Sequence, residues 1–393
     1  MNRSIELYNN LMNLANDEDS PFYLIEHVGP YDGATYHVFS YRLGSYTDFL
    51  RPDALECRGH MFRIENGNPV LVSLPFPKFF NRGEVEGHIN SADTMDLDFS
   101  NDNVDYIAYK EDGSLITTYL DANGDLCLKS KTSLTSTMAV DAMELLPNVV
   151  APFAQRSLLD YCMGLERDGY TVIMEYVSPK NIIVLQYDRC DLVVLGVRHR
   201  ETGEMMNYND FISIGLDAYT AVNYLHSQKI QDVAEFVDGI PSMRGIEGFV
   251  IRLKDGTMVK CKTDEYVSLH HVKDSVTSPR RLMEVVLQEA SDDLRQMFVS
   301  NEQVLSEIDN MEKFVVDLVT HLVKPAEKFY DDNKHLERRD YAIKGQQELR
   351  RDQFSLAIGK YIGKDIDYKA FVAKNHRDYL KNYVTTLTVE GGE

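Results

Sequence analysis

Residues 104–120 read VDYIAYKEDGSLITTYL. Two runs rich in β-branched and aromatic residues flank Glu111-Asp112-Gly113, so the stretch predicts strand, turn, strand. The Asp-Gly pair favours a sharp return of the chain. Lys110 then stands at a strand end, where it could point into a cleft between strands. Its amine is a nucleophile only when partly deprotonated, which nearby cations or desolvation bring about. Attack on a nucleotide α-phosphate would give a lysyl phosphoramidate and release pyrophosphate. A surface hairpin with an idle lysine is the plain alternative.

The same texture continues outward. FYLIEHV (22–28), ATYHVFSY (34–41), HMFRIE (60–65) and NPVLVSL (68–74) are short β-rich runs between Gly, Asn, Asp and Pro. DANGD (121–125) predicts a turn into LCLKSK (126–131). After a helical stretch over 138–168, YTVIMEYV (170–177), NIIVLQY (181–187) and DLVVLGVRH (191–199) predict three more strands. IEGFVIRL (246–253) and TMVKCKT (257–263) flank Lys254-Asp255-Gly256, a strong hairpin signal. Ile5, Tyr8, Leu11, Met12 and Ala15 keep helical spacing near the start. Beyond Tyr266 only helical spacing remains, as in Leu282, Val285, Val286 and Leu287. The fold class is α+β. An antiparallel-sheet domain is expected over 1–272 and an all-helical one over 273–393.

The chain has 393 residues, 44% hydrophobic and 26% charged, which excludes global disorder. Its 23 Gly and 12 Pro show no period, which excludes a collagen-like chain. Five cysteines, never in a C-x-x-C pair, argue against a disulfide framework or structural zinc. They suit a reducing cytoplasm. MNRSIELYNNLMNL reads as an amphipathic helix rather than a signal peptide. No window approaches the ~18 consecutive apolar residues of a membrane helix. The net charge of −21 argues against a charge-driven grip on anionic membranes or bulk nucleic acid, though a local basic groove stays open. Residues 273–393 hold 19 basic and 22 acidic side chains, so most of the negative charge lies upstream. Lys334, Arg338, Arg339, Lys344, Arg350 and Arg351 cluster there, as a solvated helix face or an RNA contact. No P-loop, G-x-G-x-x-G fingerprint, H-E-x-x-H or G-x-S-x-G is present.

The chain resembles the phage RNA ligase 1 (tRNA-repair ligase) group of covalent nucleotidyltransferases. PDALECRGHMF (52–62), PFPKFFN (75–81), KEDGSL (110–115), KSKTS (129–133), MEYVSP (174–179), IVLQY (183–187), RETGE (200–204), IEGFV (246–250), VKCKTDEYVSLH (259–270) and ASDDL (290–294) look like that group's segments in its order. The resemblance covers roughly residues 1–300, and the remainder matches as a helical tail. It implies an antiparallel-sheet adenylation domain and a helical domain that selects RNA.

By the same resemblance, Lys110 takes the place of the adenylated nucleophile and Arg58 that of a nucleotide-contacting arginine. A guanidinium fork suits phosphate and ribose oxygens, although a surface salt bridge would also explain Arg58. Lys78 matches a nucleotide-side lysine, but Phe79 and Phe80 could explain that segment as core. Lys131 matches a further active-site lysine. Lys129 would share its face on a regular strand, which leaves open which one reaches the site. Glu175 ends an apolar run and needs a partner. It matches the acid that binds ribose hydroxyls. Glu247 matches the metal-side acid. Mg²⁺ prefers oxygen ligands and keeps several waters, so one or two carboxylates suffice.

Lys260 and Lys262 alternate with Val259 and Cys261, which puts both ammonium groups on one strand face. Such a pair asks for an anion, and a triphosphate supplies it. The pair would also help lower the pKa of Lys110. Tyr266 follows as a phosphate-side or core residue. Cys261 stands where a bulkier aliphatic is usual, and Thr132 where glycine is.

The implied reaction is ATP-dependent joining of 5′-phosphate and 3′-hydroxyl RNA ends, with Mg²⁺ or Mn²⁺. Broken tRNA anticodon loops are the implied substrate, and a monomer in the cytoplasm of a phage-infected bacterium is the setting. A DNA ligase or capping guanylyltransferase shares the lysyl chemistry. The Gly-Ser-Leu after Asp112, and no oligonucleotide-binding barrel after Lys262, argue against both. A catalytically dead RNA-binding relative is the other alternative.

Overall fold

The computed structural model describes residues 3–17, 20–44, 46–83, 97–151, 156–180, 187–220, 230–270, 276, 278–298, 301–364 and 367–384. Contacts divide the chain into two units, Met1–His270 and His271–Glu393. The first is α+β and the second helical.

The first unit holds three four-stranded sheets, counted over the described residues, and in the second of them Tyr170–Val177 and Asp191–His199 are buried on both faces rather than alternating. β1 (Phe22–Val28), β2 (Thr35–Tyr41), β3 (His60–Glu65) and β4 (Asn68–Ser73) form an antiparallel meander. The second sheet runs β10-β9-β7-β8, from β7 (Ser114–Leu120), β8 (Leu126–Ser130), β9 (Tyr170–Val177) and β10 (Asp191–His199). The third runs β5-β12-β11-β6, from β5 (Phe80–Asn81), β6 (Val104–Tyr109), β11 (Gly248–Leu253) and β12 (Met258–Lys262). The predicted strand 181–187 lies outside the described residues except for Tyr187.

The second sheet is central. One face packs Ile116, Leu128, Met174 and Val194 against Ala139, Ala142, Leu158 and Cys162 of the helices Thr137–Leu145 and Leu158–Arg167. Elsewhere Tyr119 and Cys127 meet Val38 and Met61 of the first sheet. Ile173 meets Met258 of the third. Val259 and Cys261 turn into a core with Ile251, Val233 and Val237, as the alternation predicts. Burying side chains of that size stabilises the fold by roughly 1.5–3 kcal/mol each. In the helical unit, Glu302–Asn333 buries Val304, Ile308, Met311, Val315, Val319 and Leu322 along one stripe. Helices Pro279–Leu287 and Arg351–Tyr361 pack against it.

One expectation fails in an informative way. β6 and β7 are not a hairpin; they belong to different sheets. The Lys110 N–H donates to the Gly248 carbonyl (2.9 Å), which extends the β6–β11 ladder. Ser114 already stands opposite Tyr176 of β9. Residues 110–113 therefore cross from the third sheet to the second. Gly113 is not in the left-handed region that a two-residue hairpin turn demands. It is needed for space, because a Cβ there would lie 2.3 Å from the Tyr176 carbonyl oxygen. Gly256 is the opposite case. It closes the β11–β12 hairpin at φ +93° with open space around it.

These two glycines give different expectations in urea unfolding. Gly256→Ala should cost about 1 kcal/mol, the conformational price alone. Gly113→Ala should cost about 2–3 kcal/mol, because main chain must shift. Equal losses would mean that the crossing is not sterically tight.

Candidate active site

Lys110 leaves the end of β6 with its Nζ 2.8 Å from Glu247 Oε1. Glu247 immediately precedes β11 and is 2% exposed. Lys262, opposite Gly248 in the β11–β12 ladder, brings its Nζ to 3.5 Å from the same oxygen. Two ammonium groups thus share one carboxylate oxygen. Glu247 Oε2 is buried with no hydrogen-bond partner. An anion so placed is costly alone, and the paired cations offset that cost. Part of the anion that the lysine pair asks for is thus built into the protein.

Glu175 reaches this place from β9, where its Oε1 accepts the Gly113 N–H (3.1 Å). Burial, with Glu247 adding to it, pushes its carboxyl up to about 7, against the pull of Lys110, the Gly113 N–H and Arg58. Arg58 keeps Nη1 buried and unpartnered, with its guanidinium 5.7 Å from the Phe79 ring. Lys260 Nζ lies 5.9 Å from the same ring. Contacts therefore gather Lys110, Glu247, Lys262 and Glu175, while Phe79 joins Arg58 to Lys260.

Lys78 and Lys131 gather about a different ring. Lys78 Nζ sits 5.5 Å and Lys131 Nζ 4.3 Å from the centroid of Tyr41. Phe49 and Phe80 also lie beneath Lys78. β8 ends at Ser130, so the alternation expected of Lys129 and Lys131 stops there. Lys129 turns inward and is fully buried, while Lys131 takes the ring.

Three residues of the loop machinery were not picked out from sequence: Glu111, Asp112 and Tyr187. The Tyr187 hydroxyl donates to Glu111 Oε2 (2.9 Å) and accepts the Asp112 N–H (2.8 Å). Tyr266 donates its hydroxyl to Asp112 Oδ1 (2.9 Å) and is 3% exposed, so it holds the loop after Lys110. The burial of Asp112 comes from the fold and has no signal in the spacing. Nothing in the spacing ties Tyr187 to residue 112.

The donor set fits a hard divalent cation. Glu247 Oε2 would be the protein ligand, with water and phosphate oxygens completing the shell. Among the described residues no group of three or more His, Cys, Asp or Glu is placed to hold a metal.

A family model described as "RNA ligase" matches residues 56–266, and one described as "T4 RNA ligase 1, C-terminal domain" matches 273–388. The chain belongs to the phage RNA ligase 1 family. It is an RNA ligase. A Thermovibrio ammonificans protein provisionally named an RNA ligase is 24% identical over 79% of this chain and 78% of its own. A protein of Autographa californica nuclear polyhedrosis virus, provisionally named a bifunctional polynucleotide kinase/RNA ligase, is 25% identical over 66% of this chain and 38% of its own. Among solved structures, an archaeal ATP-dependent RNA ligase aligns over 92% of this chain and 93% of its own, at 12% identity and TM-score 0.47.

The Glu175 carboxyl gives the ligase a testable pH response. With its pKa raised to about 7, it is mostly protonated at pH 6 and ionised at pH 8. If the ionised form receives the nucleotide, self-adenylation kcat/KM should climb through an inflection near pH 7. Glu175→Gln should erase that inflection and leave any rise at higher pH. A variant profile that keeps it would assign the inflection to another group.

Proposed function

We propose that this ligase is ATP-dependent, works through a lysyl-AMP on Lys110, and repairs broken tRNA. The observation that carries the reading is the Lys110–Glu247–Lys262 arrangement on the crossing between two sheets. It combines a nucleophile, a buried carboxylate paired with it through Oε1, and a second cation beside them.

In the first step Lys110 leaves Glu247, gives up a proton to solvent, and attacks the α-phosphorus of ATP. An N–P bond forms, the bond to the pyrophosphate oxygen breaks, and pyrophosphate leaves. In the second, an oxygen of the RNA 5′-phosphate attacks the adenylyl phosphorus and Lys110 departs. In the third, the deprotonated 3′-hydroxyl attacks the 5′-phosphorus and AMP leaves. Lys260, Lys262 and the spare Nη1 of Arg58 would face the charge that develops on phosphate oxygens. Glu175 suits the ribose hydroxyls. Lys78 would serve the nucleotide or phosphate side, and Lys131 would act near the active site. A Mg²⁺ or Mn²⁺ ion on Glu247 would neutralise phosphate charge.

Intact mass of the protein with ATP and Mg²⁺ tests the covalent step. A gain of about 329 Da, one AMP, is expected in the wild type and not in Lys110→Ala. No gain, after stripping with pyrophosphate any AMP acquired during expression, would sink the reading.

The tRNA assignment rests on the family match over 273–388 and on the exposed cations Arg338, Arg339 and Arg351. The same reading makes the protein a cytoplasmic monomer encoded by a phage. Five cysteines without a disulfide fit a reducing compartment. Joint Arg338→Glu and Arg339→Glu substitution should cost roughly tenfold in preference for nicked tRNA over a short single strand. Ligation of the short strand should hold. An unchanged preference would remove the helical unit from substrate choice.

A further inference from the structure

The chemistry above leaves a second buried cluster unused. Lys129 is fully buried, and its Nζ donates to the carbonyls of Gly59 (2.7 Å), Ser130 (3.2 Å) and Lys131 (3.4 Å). Those three oxygens match the three donors of an ammonium group. Burial pulls its pKa down to about 7. The main chains run in contact here, since a Cβ at Gly59 would lie 2.3 Å from the Lys131 carbonyl oxygen.

Glu56 anchors the other end of the same segment. Arg198 grips it with a two-point fork (2.8 and 2.7 Å), and His60 Nε2 lies 2.7 Å from Oε2. Burial opposes ionisation of Glu56, but His60 and Arg198 hold its carboxyl well below the usual range. Arg198 also donates to the carbonyls of Pro75 and Gly203, both at 2.9 Å. The Lys78 N–H donates to the Leu55 carbonyl (2.7 Å). Arg58 thus sits on a short segment fastened at both ends.

We infer that Lys129 is a positioning residue for the adenylation reaction, tying the Gly59 and Lys131 carbonyls together and so aiming Arg58 and Lys131 at the nucleotide. The inference rests on the lysyl-AMP reading. If packing alone were wanted, methionine would fill a similar volume without desolvating an amine. Lysine adds three directed bonds. All three end on carbonyls at, or next to, candidate nucleotide-binding cations. One Nζ bonded to both carbonyls fixes their separation, so its loss should be felt chiefly in the grip on ATP.

The test is Lys129→Met in the full chain, alone and combined with Arg58→Lys. It is read by single-turnover self-adenylation with ATP and Mg²⁺ and by hydrogen exchange. Lys129→Met should raise half-saturating ATP about tenfold or more, with the maximal rate within about threefold of wild type. In the Arg58→Lys background the same change should shift half-saturation by less than about threefold, because the two residues act as one unit. Exchange should quicken in 57–61 and 130–134 alone. Additive effects in the two backgrounds, or unchanged exchange in those segments, would overturn the inference. A wild type that takes up no AMP would instead sink the lysyl-AMP reading, and the exchange pattern would then decide the tie by itself. Should Lys129→Met fail to fold, Lys129→Gln replaces it. Its amide can still donate to Gly59, so a smaller shift of the same pattern is expected, and wild-type behaviour would overturn the inference.

Discussion

A carboxylate almost wholly out of water has to be neutralised, and Glu247 sets that condition for everything near it. Its Oε1 draws Lys110 from one strand end and Lys262 from another. Removing both lysines would leave buried charge uncompensated, a loss of several kcal/mol in a comparable buried pair. The pairing serves the fold and, in the proposed reaction, the chemistry too. There the acid that holds Lys110 must later release it. Reactivity would then depend on what arrives to compete for that acid, and a polyphosphate carrying a divalent cation would be such a competitor.

The sheet crossing at Lys110 serves the same end. A hairpin would have kept the lysine within one sheet and far from β9. By passing from the third sheet to the second, residues 110–113 meet Glu247 before β11 and Glu175 on β9. Tyr187 and Tyr266 clamp Glu111 and Asp112, so the loop has little freedom to swing. Rigid placement matters because a displacement of about 1 Å can cost a hundredfold in rate.

Much of this was legible in the chain. Strand positions, the helical tail and the alternation of Lys260 and Lys262 follow from period and composition. The Asp-Gly pairs show where local reading stops. At Asp255-Gly256 the glycine takes a left-handed φ and the hairpin forms. At Asp112-Gly113 the glycine is required by the Tyr176 carbonyl, some 60 residues away in sequence, and no local preference reports that. Lys129 was ambiguous for a related reason. Its fate depends on where β8 ends and on three carbonyls, one of them far upstream. Tyr187 left no trace, since it acts through a hydroxyl on a backbone N–H of another segment.

The third sheet has one further consequence. β5 is only two residues long and covers β12 at Val259 and Lys260. Among the described residues β12 is therefore nearly an edge strand, open to pairing with another chain. Charged side chains and short neighbours are how sheets discourage such association. Lys260 and Lys262 stand where that protection is wanted. Replacing both with apolar residues would remove the charge proposed to face phosphate and expose an aggregation-prone edge together. Inactivity in such a variant would then have a colloidal cause as well as a chemical one.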